Sequence, residues 1–597
     1  MKKITIVTIM AIITSFAYAL PVEWNFFSYD IKEDKNPVTV PLTDNKLIMP
    51  DGKNIYAKKI KSTNNCFDFE KLAKPHNHAV LSGSFNCEKA RKTYLGIGGL
   101  AFAVELNGKM IYDFRRRGLG NDYNPVSVND HIIPVTFKKG ENKIVIRSCR
   151  PHWLLDYCDG AERKIDWNFV IAELKDYKPV KPALAHPELL LRPAETEITV
   201  SFITETPVHA GVDYRVKGTS KWLRQWDLAD EVILRDSEKN HIVRLENLKA
   251  DTIYEYRIVL LEPPLGGEKR SLWQKREHKE IFTPVKTFKT LGSKELNFFT
   301  FADTQLSISG TLRTVADREK YMQQMRNLPE FKKSDFIVIN GDLTSYFHDV
   351  EKDLFTDFFD SFGVQKDTKP WVYVRGNHEL DGLAASVWHK YFVPEGKKSY
   401  YSFKNRDTLF IVLACGDTVK GKLNAHIGPI IDTASMISKQ RQWLESLVES
   451  DDFKNAKFRI VLSHISPQIN EGPMTSDLHK IAVPLLKQNI HLWIGAHCHR
   501  YWRMFKNSNI LHSVEPHTPK FFYEKAKCNW LTLDGPKGNQ NPPDLSYLHV
   551  KISGDKLFAK VVDPDGKLID SFTVSPDGTA AELKHADNLK QFKLQKK

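Results

Sequence analysis

Between residues 20 and 180 apolar and polar positions alternate in short runs, with no stretch of helical period. Ala101-Phe-Ala-Val-Glu-Leu106 runs into Asn107-Gly108 and returns as Lys109-Met-Ile-Tyr112. Period-two alternation broken by Asn-Gly predicts a hairpin, because both turn residues accept the positive φ that a two-residue turn demands. Gly140-Glu-Asn-Lys-Ile-Val-Ile-Arg147 predicts a further strand leaving a turn. Pro179 to Pro187 reads as a linker. Beyond it, evenly spaced strands are expected at Glu197–Phe202, Ala210–Val216, His241–Leu245 and Tyr254–Leu260. From Glu295 the period changes. Apolar strands at Leu296–Ala302, Phe336–Asn340, Trp371–Val374, Thr408–Leu413, Phe458–Leu462 and Leu492–Ile494 alternate with helical segments around Leu312–Leu328, Val350–Phe362, Gln440–Val448 and Leu478–Lys487. That alternation predicts a layered α/β domain with its site at the strand ends. β alternation returns at Leu545–Val574 and closes the sheet. The expected division is a leader at 1–19, a β-sandwich at 20–180, a second sandwich at 188–292, an α/β domain at 295–575 and a basic tail at 576–597.

Composition sharpens this only in places. A chain of 597 residues is too long for one core, and 41% hydrophobic with 27% charged residues excludes disorder and fibrous repeats. The net charge of +13 is a mild bias toward anionic partners such as phosphates. No Lys/Arg block is dense enough to argue for nucleic acid. Lys2-Lys3, the apolar run Ile4–Phe16 and Ala17-Tyr18-Ala19 form a secretory signal cut after Ala19, so the expected location is periplasmic or secreted. Leu20 rather than Cys follows the cut, which argues against a lipid anchor, and no later run reaches the roughly 18 apolar residues of a transmembrane anchor. An oxidising compartment lets Cys66 pair with Cys87 and Cys149 with Cys158, all close in sequence. Cys415, Cys498 and Cys528 are expected as buried thiols. The odd count of seven leaves at least one unpaired, and no C-x-x-C is present for a zinc ribbon or thioredoxin-type site.

Polar residues with metal-ligand character follow five of the apolar strands: Asp303-Thr-Gln305, Gly341-Asp342, Arg375-Gly-Asn377-His378-Glu379, Ser463-His464 and Gly495-Ala-His497-Cys-His499. Singly, each is an ordinary cap or turn. Jointly, carboxylate, carboxylate, amide, His and His-x-His meet on one edge of one sheet. On an extended segment the i, i+2 spacing of His497 and His499 turns both side chains to one side.

This ordered set resembles the calcineurin-like metallophosphoesterases, whose pattern is D-x-[HG], G-D, G-N-H-[DE], H and G-H-x-H. Tyr400–Phe403 leading into Leu409–Leu413, Gln442-Trp-Leu-Glu445 and Asp563–Phe572 are similar to the purple-acid-phosphatase branch. Leu248–Ile258 resembles the corner of the fibronectin type III-like domain that precedes the catalytic unit there, with Ala250 in the place of Pro. Val104–Asp113 with Gly140–Arg147 resembles jelly-roll, galactose-binding-like modules. The implied fold class is multidomain: two N-terminal β-sandwiches, then an α/β (βαβαβ four-layer sandwich) metallophosphoesterase domain.

The resemblance also implies two divalent or trivalent metal ions (Fe, Mn or Zn). Asp303, Asp342 and His499 would hold the first, with Gln305 as a further candidate, and Asp342, Asn377, His464 and His497 the second. Asp342 would bridge the pair. Two metals about 3.5–4 Å apart neutralise charge on both apical oxygens of an in-line displacement. His378 would donate the proton to the leaving oxygen. Arg375, Tyr501 and Arg503 flank the motifs and are candidates for substrate phosphate or for ordinary surface positions; His426 and His512 are weaker candidates for pocket lining. Three departures stand out. Gln305 occupies a position where many relatives carry His, which makes the first site harder and favours Mn, Fe or Mg over Zn. Ser345 stands where the purple enzymes have Tyr, with Tyr346 one residue late, so tyrosinate colour is not expected. Ala496 separates Gly495 from the His-x-His. The activity expected is hydrolysis of phosphate monoesters by attack of a metal-bound hydroxide, on a phosphorylated small molecule or phosphoglycan, with carbohydrate contact through the N-terminal module. The alternatives are a phosphodiesterase or nucleotidase on the same core, and a glycan- or surface-binding protein with an inactive phosphatase fold.

Overall fold

The computed structural model describes residues 20–594 apart from 32–38, 44, 63, 74, 114–126, 130, 150–166, 180, 231, 236–237, 263–278, 307–313, 346, 364–368, 381, 395, 415–431, 467–472, 515–524 and 536–544. The expected leader, Cys158, Tyr346, Cys415 and His426 lie outside the described residues. Two compact units result, one of residues Met1–Lys181 with Glu262–Lys279 and one of Pro182–Leu261 with Glu280–Lys597.

The first unit is a β-sandwich. A six-stranded antiparallel sheet centred on His78–Cys87 and Gly140–Cys149 faces a four-stranded sheet built on Arg91–Gly99. Trp24, Phe69, Leu81, Leu95, Ile146 and Phe169 fill the space between them. The Ala101–Leu106 and Lys109–Asp113 strands pair through Asn107 and Gly108, at φ 53° and 78°. Cys66 and Cys87 do not pair: both are free thiols. Cys66 is exposed on the edge strand of the smaller sheet, whereas Cys87 ends a central strand of the larger one and is buried. Proximity in sequence did not become proximity across the sandwich.

The second unit holds two large sheets. In the first, β1 (Glu295–Phe301), β2 (Phe336–Ile339) and β3 (Trp371–Tyr373) run parallel. In the second, so do β4 (Thr408–Val412), β5 (Phe458–Leu462) and β6 (Leu492–Gly495). Each strand is apolar on both faces, as parallel strands covered on both sides must be. Phe298, Val338, Val372, Phe410, Ile460 and Ile494 point between the sheets. The alternate residues Phe299, Phe301, Ile337 and Ile339 meet Met322 and Met325 of α1 (Val315–Asn327). Across the molecule, Leu409, Ile411 and Val461 meet Leu444 of α2 (Thr433–Glu449) and Ile481 of α3 (Pro473–Leu486). Helix, sheet, sheet and helix thus form the four layers that the sequence predicts. No helix among the described residues is long and apolar enough to cross a membrane.

Two segments bear on the expected boundaries. Within 188–292, Val200, Phe202, Val212 and Tyr256 form a core of their own, while residues 182–261 and 280–292 share one compact unit with the α/β layers. The strands Leu189–Leu191, Ile198–Ile203 and Asn240–Leu245 extend the first large sheet to ten strands, Leu191 pairing in parallel with Trp371 beside β3. That pairing covers an edge that would otherwise stay open. The tail expected at 576–597 is ordered as strands: Ala580–His585 pairs with Leu568–Val574 on one sheet and Lys590–Lys593 with Ile510–Ser513 on the other. Its many lysines masked the alternation, and Leu589 between the two strands is buried in the core.

Candidate metal centre

The ends of β1, β2 and β3 in one large sheet and of β5 and β6 in the other deliver the candidate ligands, so two sheets share a site that the sequence places on the edge of one. Among the described residues, twelve non-glycine residues have positive φ, and five of them are Asp303, Gln305, Asp342, His497 and His499. Each such conformation costs on the order of 1 kcal/mol and persists only where the surroundings impose it. Here they do. Asp303 N donates to Gly341 O at 3.1 Å, Gln305 N to Asp342 O at 3.1 Å, and Ala496 N to His464 O at 2.7 Å, so the loops zip to one another. His497 and His499 therefore reach the site from a left-handed turn, not from the extended segment that their spacing predicts. Two glycines permit the close approach. A Cβ on Gly376 would lie 2.3 Å from Asp342 Oδ1, and one on Gly341, at φ 87°, would lie 2.6 Å from His464 Nδ1.

Both carboxylates divide their oxygens in the same way. Asp303 Oδ2 accepts from His497 N at 3.1 Å, and Asp342 Oδ1 accepts from His378 N at 3.0 Å. The other oxygen of each, with Asn377 Oδ1 and His464 Nε2, is buried and makes no hydrogen bond. His464 donates from Nδ1 to Asn340 O at 2.7 Å, which leaves the lone pair of its neutral ring on Nε2. That atom stands 3.0 Å from Asp342 Oδ2 and 3.8 Å from Asp303 Oδ1. His499 Nε2 is 3.7 Å from Asp303 Oδ1 and accepts from the Gln305 amide at 3.2 Å. The ligand atoms of Asp342, His464 and His497 all lie within 4.8 Å of one another. Buried acceptors facing acceptors are costly unless a cation lies between them. A divalent metal satisfies that donor set, so the residues fit the group the family implies.

Protonation shows the same demand. Burial opposes charge on His464, but Asp342 and Asp303 outweigh it and push its pKa up to about 10. Burial raises Asp303 to about 7, with Asp342 adding to the rise and His464 opposing it. Asp342 stays below its ordinary value: burial opposes this, but the charges of His464 and His378 prevail. A proton on His464 thus takes the place a metal would hold.

Glu379 is the residue whose weight the sequence understates. It is fully buried, and its carboxylate accepts from Asp342 N, Leu343 N, Gly376 N and the Tyr373 hydroxyl at 3.0, 3.0, 2.7 and 2.9 Å. It clamps the β2 and β3 loops into one body, and its only sequence signal is its place after Asn377-His378. His378 donates from Nδ1 to Ser345 O at 2.8 Å, and its side chain is 28% exposed, with Nε2 3.8 Å from Asp342 Oδ2.

Not every candidate arrives here. Tyr501 and Arg503 are fully buried, the Tyr501 hydroxyl donating to Asp570 Oδ2 at 2.7 Å and Arg503 holding Asp570 and Glu582. They support the sheet and offer no atom to a substrate. His512 is buried 3.6 Å from Glu582 in the same cluster. Arg375 is half-buried with a guanidinium nitrogen 3.8 Å from Met436 Sδ of α2. Cys498 is half-buried against the apolar cluster under α2 and α3.

The layered fold and this acceptor-lined centre fit a metal-dependent phosphoesterase. Residues 297–501 match the family model of the calcineurin-like phosphoesterases. Among similar solved structures is a purple acid phosphatase from yellow lupin (Lupinus luteus) seeds, 14% identical, with 85% of this chain and 95% of that one covered and a TM-score of 0.45. A predicted phosphoesterase from Streptococcus pneumoniae is 11% identical, with 48% and 99% covered and a TM-score of 0.21. A family 2 glycosyl hydrolase from Bacteroides cellulosilyticus is 10% identical, with 81% and 60% covered and a TM-score of 0.20. No curated protein matches the chain.

Proposed function

We propose that the protein is an exported phosphomonoesterase that works with two metal ions. The observation that carries this reading is the set of buried atoms without a hydrogen bond, Asp303 Oδ1, Asp342 Oδ2, Asn377 Oδ1 and His464 Nε2, beside the ligand atoms of Asp342, His464 and His497 within 4.8 Å of one another and His499 Nε2 3.7 Å from Asp303 Oδ1. Asp303, Asp342 and His499, with Gln305 beside them, would hold the first ion; Asp342, Asn377, His464 and His497 would hold the second. When bound, the pair supplies Lewis acidity that neutralises phosphate charge and activates water. His378 donates its Nδ1 proton to Ser345 O, which orients Nε2; in its doubly protonated form the ring would give the Nε2 proton to a leaving alkoxide and return to the neutral imidazole. Arg375 is the remaining candidate for a substrate phosphate oxygen. Export rests on the Lys2-Lys3, Ile4–Phe16 and Ala17-Tyr18-Ala19 leader.

The test is metal content by mass spectrometry together with hydrolysis of p-nitrophenyl phosphate and bis-p-nitrophenyl phosphate. The expected result is two metals per chain and faster turnover of the monoester. Faster diester turnover would move the assignment to a phosphodiesterase, and a metal-free, inactive protein would leave a binding protein on a phosphatase fold.

A further inference from the structure

Asn340 closes β2 and lies fully buried two residues before Asp342. Its side-chain nitrogen crosses to the second sheet, donating to Ser463 O at 3.2 Å and Ile494 O at 3.4 Å. Those carbonyls end β5 and β6, one residue before His464 and three before His497. Its own main-chain carbonyl accepts the Nδ1 proton of His464 at 2.7 Å. One residue therefore touches all three loops that carry Asp342, His464 and His497, the trio whose ligand atoms lie within 4.8 Å of one another.

We propose that Asn340 is a positioning residue for the second metal site, a staple between the two sheets that sets its ligand spacing. The inference rests on the metal-dependent reading given above. Two sheets joined only through an apolar interface can slide by fractions of an ångström at little cost, because hydrophobic contact is non-directional. Hydrogen bonds from a fixed amide are directional, and these span the interface where ligands from both sheets must meet. His464 also needs its Nδ1 proton held on a carbonyl so that Nε2 keeps a lone pair for the metal.

A control exists in the same domain. Asn529 is also buried, and its amide nitrogen donates to His491 O and Gly578 O at 3.0 Å each, at the opposite end of β6. It is chemically the same staple, placed away from the ligands. Titration of Mn²⁺ into metal-stripped Asn340→Ala, Asn529→Ala and unsubstituted protein, with thermal melts of each, separates positioning from structure. Both variants are expected to melt earlier. Only Asn340→Ala is expected to bind its tighter Mn²⁺ at least about tenfold more weakly, as outer partners of metal ligands do when removed. Should Asn340→Ala fail to fold, Asn340→Ser, which keeps one donor, is expected to show a smaller weakening in the same direction. Unchanged Mn²⁺ affinity in the folded Asn340 variants, or equal weakening in Asn529→Ala, would overturn the proposal. If the unsubstituted protein takes up no Mn²⁺, the metal-dependent reading itself falls.

Discussion

Two buried charged clusters lie in the second unit, and the sequence singles out both for chemistry. One surrounds Asp303 and Asp342; the other joins Tyr501, Arg503, Asp570 and Glu582. Their burial is alike. Their polar balance is opposite. In the second cluster a guanidinium and a phenol hydroxyl meet the Asp570 carboxylate, and the guanidinium also stacks over Phe505 at 4.2 Å. In the first, Asp303 Oδ1, Asp342 Oδ2, Asn377 Oδ1 and His464 Nε2 are buried without a hydrogen bond. The second cluster gives its buried carboxylate its donors and leaves without a hydrogen bond only Arg503 Nη1 and the His512 ring nitrogens, whereas the first leaves carboxylate and amide oxygens unpaired, as a cation would require. Burial and charge thus fail to separate a structural site from a functional one; unpaired acceptors do.

The sharpest way to break this contrast is to remove one carboxylate from each cluster. Asp342→Asn is expected to lower turnover of an aryl phosphate by about 10³-fold or more. The Asn oxygen still accepts from His378 N, so the folded structure should persist. Turnover near that of the unsubstituted protein would remove Asp342 from the metal centre.

Asp570→Ala should do the reverse. It strands Arg503 in the core with only half-exposed Glu582 as a partner, a loss of roughly 3–5 kcal/mol. Turnover per folded molecule should stay within about twofold. A urea melt with an assay on the folded fraction reads both quantities. A variant that keeps its stability but loses activity would return the Tyr501–Arg503 pair to the substrate site.

Most of the first cluster is legible in the sequence, and for a physical reason. Metal ligands come from few residue types, and each follows an apolar strand, so the order of Asp303, Asp342, Asn377, His464, His497 and His499 survives as a pattern. The role of Tyr501 and Arg503 is not legible, because the partner that defines them, Asp570, lies far along the chain on another strand. The four layers are legible through strands apolar on both faces. The union of the Leu189–Ile203 strands with the large sheet is not, since the short pairing of Leu191 with Trp371 carries it and no local period records that. Glu379 is hidden differently: its role consists of hydrogen bonds to backbone groups, which leave no trace in residue type.

The smallest effect, and the most diagnostic of the acceptor-lined centre, is in the pH dependence of metal-free stability. Asp303 rises from 3.8 to about 7 on folding, and His464 from 6.5 to about 10. In both cases the folded protein binds protons more tightly than the unfolded chain. The His464 contribution is fully present below pH 6.5 and is lost as pH climbs through 10; Asp303 weakens the fold as pH climbs from 3.8 through 7. Asp342, held below 3.8, acts in the opposite sense but only under acid conditions outside that window. The melting temperature of the metal-stripped protein should therefore decline between pH 5 and pH 9. Metals compete with those protons, so Mn²⁺ should stabilise little at pH 5 and by several degrees, on the order of 5 °C, at pH 8. Asp570→Ala, with its first cluster intact, should melt lower throughout yet gain as much from Mn²⁺ as the unsubstituted protein. Asp342→Asn should lose most of that gain, because one bridging charge is missing. A Mn²⁺ shift that is equal at both pH values, or that survives in Asp342→Asn, would mean that the acceptors facing one another are not where the cation binds.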